Sequence, residues 1–253
     1  MINYELSDKY IVFGKTTSKG IQNKYFKDSY YYKVNKSGNE GFVEYLVSRI
    51  LHFSTLPVDS YVYYEFCKIN NELGCRSKNF LSSTEEFLTI NTLWRNYTGM
   101  SNLSEELFSL RDAKTRLDYI LNFIQSMDID SYLFRDYLET ILQLDMLILN
   151  SDRHFHNFGI IRDVKSKCIR MAPIFDNGLS LCTNRDVNPN SCTISGSFEE
   201  QVTAWGYPIK AKFKIDYDLL SKDLIEIEKI YGNKYELTVL RNQLKRYKSL
   251  FSI

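Results

Sequence analysis

The sequence of 253 residues contains only 4 prolines and 3 histidines, and its formal net charge is only +1. This near balance of charge provides no global basic field, so direct binding to nucleic acid is not expected. The scarcity of proline, together with 15% aromatic residues, favours a packed core over intrinsic disorder. Hydrophobic residues make up 44% and charged residues 25%, which is an ordinary globular balance.

The sequence also lacks the marks of a zinc protein, a secreted protein or a membrane protein. Its 5 cysteines form no Cys-x-x-Cys pair, and so few histidines argue against a zinc site. No apolar run reaches the ~18 residues that a membrane-spanning helix needs. The N-terminal segment carries Glu5 and Asp8 and does not resemble a signal peptide. We therefore expect free thiols and a cytoplasmic location.

Strand-like runs and one helical run make up the first third of the sequence. Apolar and polar residues alternate in the strand-like runs, whereas residues 39–52 carry an apolar stripe with helical spacing. The strands are expected at Lys9–Phe13, Lys24–Phe26 and Tyr30–Asn35, within Leu56–Lys68, and at Gly74–Leu81.

From Ser83 onward the pattern becomes mainly helical. Ser83 and Glu86 have the spacing of a capping box, which predicts a helix start there. Further helices are expected at Thr115–Ser126, Tyr132–Asn150, Phe198–Ala204, Tyr217–Tyr231 and Lys234–Phe251. The sequence therefore predicts an α+β protein with a small β-rich lobe at residues 1–82, containing one helix, and a larger, mainly helical lobe at residues 83–253.

Three polar residues that suit phosphoryl transfer lie between Leu142 and Leu181. Asp152, Asn157 and Asp176 fall at the two ends of a predicted hairpin. Kinases need one carboxylate to orient the acceptor hydroxyl, and an amide oxygen and a second carboxylate to hold Mg²⁺ against the ATP phosphates. The spacing of an Asp, four residues and an Asn, with a second Asp beyond a hairpin, is typical of kinases. The alternative is a purely structural role, since Asp and Asn residues commonly form turns.

Lys33 lies in the strand-like run YYYKVN, just before the predicted helix that carries Glu40 and Glu44. In kinase sites a strand lysine contacts the ATP phosphates while an acidic residue of the next helix holds it. Glu40 and Glu44 share one helix face, and we prefer Glu44 because it lies deeper in the helix. The alternative is a lysine on the solvent side of an edge strand.

The loop at residues 14–24 has the composition of a phosphate-binding loop. Gly20 and small hydroxyl residues such as Ser18 allow backbone N–H groups to approach a phosphate closely, and Lys24 adds positive charge. Most loops of this composition are solvated turns, so this signal is weak by itself.

These segments together resemble the HipA-like kinase family and, within it, the short type called cell-translocating kinase A. The resembling residues are Ser18–Lys24, Tyr32–Val34, Glu40–Glu44, Gly74–Phe80, Asn150–Gly159 (NSDRHFHNFG) and Ala172–Asp176 (APIFD). The resemblance implies a bilobal protein-kinase-like fold and phosphorylation of Ser or Thr with ATP and Mg²⁺. Lys33 would be the ATP-phosphate lysine, Asp152 the catalytic carboxylate, and Asn157 and Asp176 the metal ligands.

The resemblance also implies a regulatory loop and partners. Ser18 lies in the family's nucleotide-covering loop, where a serine of the toxin members can be autophosphorylated; Thr16 and Thr17 are competing sites. A protein substrate is implied, as is an antitoxin-like partner. The sequence shows no counterpart of the segment that helps full-length HipA toxins to hold that partner. Some relatives of this type are exported without a signal peptide.

Two other functions stay open at the level of sequence. The run Asp152-Arg-His-Phe-His-Asn157 also resembles the catalytic loop of phosphatidylinositol kinases, which allows a lipid or small-molecule kinase. No basic amphipathic segment suited to a membrane surface accompanies it. A kinase-like fold can also act as a non-catalytic binding module. The joint presence of Lys33, Asp152, Asn157 and Asp176 favours catalysis over that module.

Overall fold

The computed structural model describes residues 1–12, 24–36, 38–100, 103–183, 198–206 and 209–253. Within these ranges the chain forms eight strands and nine α-helices. No helix of the described residues combines the length and the apolar character that a membrane crossing requires.

A five-stranded sheet occupies the N-terminal part, in the order β1-β4-β5-β3-β2. The first strand pairs parallel to β4, and the other neighbours are antiparallel. Asp28-Ser29 and Asn70-Asn71 turn the two hairpins with positive φ angles, as tight two-residue turns require. The strands are β1 (Asn3–Tyr4), β2 (Lys24–Lys27), β3 (Tyr30–Val34), β4 (Tyr64–Ile69) and β5 (Glu72–Lys78).

The predicted strand at Lys9–Phe13 is wrong for its described part. Asp8–Tyr10 form a short 3-10 helix, in which Tyr10 N–H donates to the Ser7 carbonyl at 3.0 Å. Only Ile11 makes a strand-like bridge, to Tyr25. Ser7 and Asp8 are turn-forming residues, and the local turn takes the backbone hydrogen bonds that an extended strand would use.

Helix α1 (Glu40–His52) packs against β4 and β5 with an apolar face that is fully buried. Gly41 lets the helix approach the sheet, because a Cβ built there would lie 2.5 Å from the backbone carbon of Gly74. Phe42, Leu46 and Ile50 join the main core, which continues into the helical part of the chain. The helix that carries Glu44 is thus held in a fixed position against β4 and β5.

The remaining helices follow in the C-terminal part of the chain. They are α2 (Ile90–Thr98), α3 (Leu103–Phe108), α4 (Ala113–Ser126), α5 (Ser131–Ile148), α6 (Phe198–Thr203), α7 (Tyr217–Tyr231), α8 (Tyr235–Arg246) and α9 (Lys248–Phe251). The helices predicted at residues 39–52, 115–126, 132–150, 198–204 and 217–231 are confirmed to within a few residues, whereas the one predicted at Lys234–Phe251 is divided in two at Tyr247. The sequence did not predict α2 and α3 as separate helices.

A second, three-stranded sheet corrects the predicted helix start at Ser83–Glu86. It consists of β6 (Glu85–Thr89), β7 (Gly159–Asp163) and β8 (Ile169–Met171) in antiparallel order. Residues Glu85–Thr89 form a strand despite the capping-box signal, because their backbone pairs with β7. Arg162 of β7 also forms an ion pair with Glu86, its direct partner across the strands. The helix begins at Ile90 instead, where the Thr89 hydroxyl accepts from the N–H of Thr92 at 3.0 Å.

Candidate active site

The polar segment after α5 is built around Asn150, which is fully buried. The helix ends at Ile148, and the next residue, Leu149, adopts a positive φ of 55° and turns the chain. The side-chain amide of Asn150 donates to Asp145 Oδ1 at 3.0 Å, and its oxygen accepts the backbone N–H of Asp152 at 3.0 Å. Asp152 is therefore presented on a turn that is anchored to the last turns of α5.

Arg153 connects this turn to the segment that carries Asp176. Its side chain is only 1% exposed, and its Nε and Nη2 atoms each donate to Asp145 at 3.0 Å. Nη1 donates to the Phe175 carbonyl at 2.7 Å, and Nη2 also donates to Asn177 Oδ1 at 2.6 Å. Arg153 thus supports the site from inside, and its guanidinium is already bonded to groups of the protein.

Asn157 presents a buried oxygen that has no hydrogen-bond partner among the described residues. Its side-chain amide donates to the carbonyl of Asp152 at 3.1 Å, which orients the side chain, while Oδ1 is left unpaired. Because buried polar atoms are nearly always bonded, an orphaned oxygen calls for a missing partner. A cation is such a partner, since Mg²⁺ is bound through oxygen ligands.

Lys33, Glu44 and Asp176 meet beside β3. The Lys33 ammonium lies 2.8 Å from Asp176 Oδ1 and 3.5 Å from Glu44 Oε1. The other oxygen of Glu44 accepts the backbone N–H of Asn177 at 3.0 Å. Glu40, the other glutamate considered from the sequence, accepts the N–H of Gly38 at 3.1 Å. The acidic residue of α1 that reaches Lys33 is therefore Glu44.

The charges of this cluster shift the pKa values of its members. Burial acts to raise the pKa of Asp176, but the ion pair with Lys33 outweighs burial and lowers it to about 2. Burial acts to lower the pKa of Lys33, but Asp176 and then Tyr64 and Glu44 raise it well above its ordinary value. Burial raises the pKa of Asp152, and the negative charge of Asp176 adds to that effect, against the influence of His154. The two aspartates therefore belong to one electrostatic site.

Lys24 shares this side of the sheet with Lys33. The two lysines are direct partners in the β2–β3 pairing, so their side chains lie on the same face. Burial lowers the pKa of Lys24, and the positive charge of Lys33 lowers it further. Ser18 and Gly20, which the sequence assigns to the same site, lie outside the described residues.

An apolar wall borders the cluster. The Lys33 ammonium sits 5.3 Å from the ring centre of Tyr64, which is buried with Val62 and Cys75. Phe80 and Phe175 pack against this group, with 5.7 Å between their ring centres. The site thus combines a charged end with an apolar side.

Sequence reasoning missed Asp145, Asn177 and Tyr64 as parts of the site. Asp145 had one detectable signal, because it is an acidic residue inside a helix whose last turns are mostly apolar and buried. Such a residue is expected to have a charged partner. The sequence offered no comparable signal for Asn177 or Tyr64, whose contacts join distant parts of the chain.

Comparison with known proteins identifies the fold through structure alone. No protein-family model matches the sequence, and a search of curated proteins finds no match. The crystal structure of the Helicobacter pylori proinflammatory kinase CtkA matches with a TM-score of 0.64 and 18% identity, over 99% of this chain and 94% of that chain. HipA in a toxin–antitoxin complex with HipB and operator DNA from Shewanella oneidensis MR-1 matches with a TM-score of 0.46 and 12% identity. That match covers 94% of this chain and 58% of that chain.

The chain has a bilobal, protein-kinase-like fold, with an N-terminal part built on the five-stranded sheet and a helical C-terminal part. Among solved structures it resembles that of H. pylori CtkA. The α+β, protein-kinase-like fold predicted from the sequence is thus confirmed, and the predicted resemblance is confirmed at the level of the fold.

Proposed function

We propose that this protein is an ATP- and Mg²⁺-dependent protein serine/threonine kinase of the HipA-like type. The observation that carries the proposal is the contact of Lys33 with both Asp176, 143 positions away, and Glu44. Protein kinases bring a lysine, its acidic partner and a metal-binding aspartate together in one cleft. The fold likeness to a protein described as a proinflammatory kinase supports the same conclusion.

ATP would bind with its phosphates at the charged end of the site. Lys33 would exchange part of its contact with Asp176 for the phosphates, and Lys24 would add a second positive charge. The apolar wall of Val62, Tyr64 and Cys75 would receive the base. Gly20 and Ser18 are proposed to cover the phosphates.

Asn157 and Asp176 would hold Mg²⁺. They fit this ion because they offer an unpaired amide oxygen and a carboxylate whose lowered pKa keeps it ionised. When bound, Mg²⁺ would neutralise charge on the phosphate oxygens.

Asp152 would orient the acceptor hydroxyl and accept its proton. A bond forms between the acceptor oxygen and the γ-phosphorus while the bond from that phosphorus to the bridging oxygen of ADP breaks. The pKa of Asp152 is raised by burial, which makes it a better proton acceptor than an ordinary aspartate. Arg153 holds the turn that carries Asp152 in place through its bonds to Asp145 and Phe175. Catalysis would thus depend mainly on the positioning of the reacting groups and on the neutralisation of phosphate charge.

The wider assignments follow from this function. We assign residues 1–82 to the nucleotide-binding lobe and residues 83–253 to the catalytic lobe. We also propose autophosphorylation within residues 14–24 and a protein substrate. An antitoxin-like partner and a cytoplasmic location remain predictions from the sequence.

ADP formation from Mg-ATP tests this function without knowledge of the acceptor. Asp152→Asn should reduce turnover about 100-fold or more, because the oriented proton acceptor is lost. Lys33→Met should also reduce it, whereas Lys68→Met, on the exposed side of β4, is the matched control and should not. Turnover in the wild type that persists in Asp152→Asn would contradict the assignment of Asp152.

A further inference from the structure

A buried carboxylate in α8 closes a hydrogen-bonded ring at the start of α1. Glu236 is only 4% exposed, and its Oε1 accepts from Asn39 Nδ2 at 3.0 Å and from Thr183 Oγ1 at 3.1 Å. Thr183 Oγ1 in turn accepts the backbone N–H of Asn39 at 3.1 Å. The ring therefore ties three separate parts of the chain together, and none of its members belongs to the site described above.

The ring takes over a side chain that would ordinarily cap α1. Asn39 is the N-cap residue, but its side chain makes no capping bond to its own helix and donates to Glu236 instead. The neighbouring backbones are also close, since a Cβ at Gly38 would lie 3.1 Å from both the carbonyl oxygen and Oγ1 of Thr183. The start of α1 is thus fixed by contacts from outside its own helix.

Helix α1 and the segment that ends at Thr183 also make contact at the proposed nucleotide site. Glu44 of α1 accepts the backbone N–H of Asn177, as described above. At Gly178 an added Cβ would lie 3.3 Å from the Cβ of Glu40. The segment from Asn177 to Thr183 is therefore joined to α1 at both of its ends.

The attachment runs through Oε1 of Glu236, because Oε2 is buried without a hydrogen-bond partner among the described residues. Glu236 lies in the first turn of α8, where the helix dipole favours a negative charge. The junction of α7 and α8 also packs on α1, because Tyr231 lies 5.7 Å from the ring of Phe42, and the Lys234 ammonium lies 5.4 Å from the same ring. Helix α1 is thus held between the sheet and the C-terminal helices.

We propose that Glu236 is a positioning residue of the nucleotide site. Through Thr183 and Asn39 it fixes the start of α1 and so keeps Glu44 within reach of Lys33 and the segment after Asp176. This inference rests on the proposed kinase function for its kinetic consequence, although the attachment of α1 does not depend on it.

Steady-state kinetics of ATP turnover test the inference. Glu236→Ala and Thr183→Val should raise the KM for ATP and lower kcat/KM by about 2- to 30-fold, the range for residues that couple distant sites. Glu236→Gln and Thr183→Ser retain the acceptor oxygen and the hydroxyl, so both should stay within about twofold of the wild type. Glu228→Gln, which alters the α7 partner of Arg241, is the matched control and should change neither constant.

Hydrogen exchange at the backbone amides of residues 39–46 provides a readout that needs no activity. Exchange should be faster in Thr183→Val and Glu236→Ala than in the wild type, and unchanged in Glu228→Gln. Unchanged exchange would overturn the attachment, and faster exchange with unchanged KM would limit Glu236 to stabilising the fold. If the wild type shows no ATP turnover, the proposed kinase function is refuted. The exchange measurement still tests whether Glu236 and Thr183 hold the start of α1, because it does not depend on activity.

Discussion

The buried ion pair between Asp145 and Arg153 allows a quantitative prediction about stability. Arg153 is among the largest fully buried side chains of the described residues, and Asp145 is 0% exposed. Asp145→Asn keeps the shape of the side chain and removes its charge. Because arginine cannot lose its proton in a protein, the variant leaves a buried cation without a directly bonded carboxylate.

The structure sets the size of the expected effect. Breaking a buried ion pair by removing one partner costs about 3–5 kcal/mol. The asparagine oxygen can still accept one bond from Arg153, so we expect the lower end, about 3 kcal/mol. For a chain of this size, 1 kcal/mol corresponds to about 2–4 °C in Tm, which predicts a fall of roughly 6–12 °C.

The partner variant Arg153→Met should depend on pH in a way that Asp145→Asn does not. Burial already raises the pKa of Asp145 even with the guanidinium present, so without it the carboxyl should take up a proton more readily. The folded variant then binds more protons than its unfolded chain, and its stability should rise as the pH falls from about 7 to about 5. Asp145→Asn carries no such carboxyl and should show no corresponding gain.

Urea denaturation at both pH values measures these differences. Asp223→Asn is the matched control, because Asp223 makes a similar two-bond pair with Arg49 whose side chains are 18% and 20% exposed. Solvent weakens that pair, and its loss should cost less than that of the buried pair. The account would be refuted if Asp145→Asn cost no more than Asp223→Asn.

Three further predictions concern the cluster of Lys33, Glu44 and Asp176 and the packing of α1 against the sheet. The pKa of Asp176 in the folded protein is about 2, which is below the ordinary pKa of an aspartate. The ionised carboxylate therefore stabilises the fold at pH values above that ordinary pKa, and this stabilisation is lost as the pH falls towards about 2. In unfolding experiments, the difference between wild type and Asp176→Asn should stay constant from about pH 7 to about pH 5 and shrink below about pH 4; a difference that shrinks above pH 5 would contradict the low pKa. Lys33→Met should weaken Mg-ATP binding in calorimetry by about 10-fold or more, as expected for loss of a charge-assisted contact, and equal affinity would remove Lys33 from the site. Gly41→Ala should destabilise the protein by about 1–3 kcal/mol in thermal unfolding, because its Cβ would meet the backbone of Gly74 at 2.5 Å; an unchanged Tm would show that α1 can shift.

Local patterns predicted most of the long helices, four strands of the first sheet and the spacing of the segment around Asp152. Helix α7 was predicted with its observed bounds, since an amphipathic period is a property of contiguous residues. The spacing of Asp152 and Asn157 is likewise local. Lys33 and Asp176 were each expected to act on the phosphates of ATP, but their direct contact was not predicted, because no local pattern links residues 143 positions apart.

The parts that escaped prediction depend on contacts between distant residues. Glu85–Thr89 form a strand because β7 pairs with them, whereas their local signal favours a helix. The ring around Glu236 joins residues that are up to 197 positions apart, so no sequence window contains it. Asn157 could be selected from the sequence, but its unpaired oxygen became visible only with its surroundings in place.

The most direct test of the central claim is to measure ADP formation and protein-bound phosphate in the same sample, by intact-mass and peptide mass spectrometry. Wild type and Asp152→Asn would be incubated with Mg-ATP, alone and with added acceptor proteins. The account predicts ADP formation together with phosphate on Ser or Thr in the wild type, including sites within residues 14–24, and neither in the variant. ADP formation without phosphate on any protein, or phosphorylation that persists in Asp152→Asn, would contradict it.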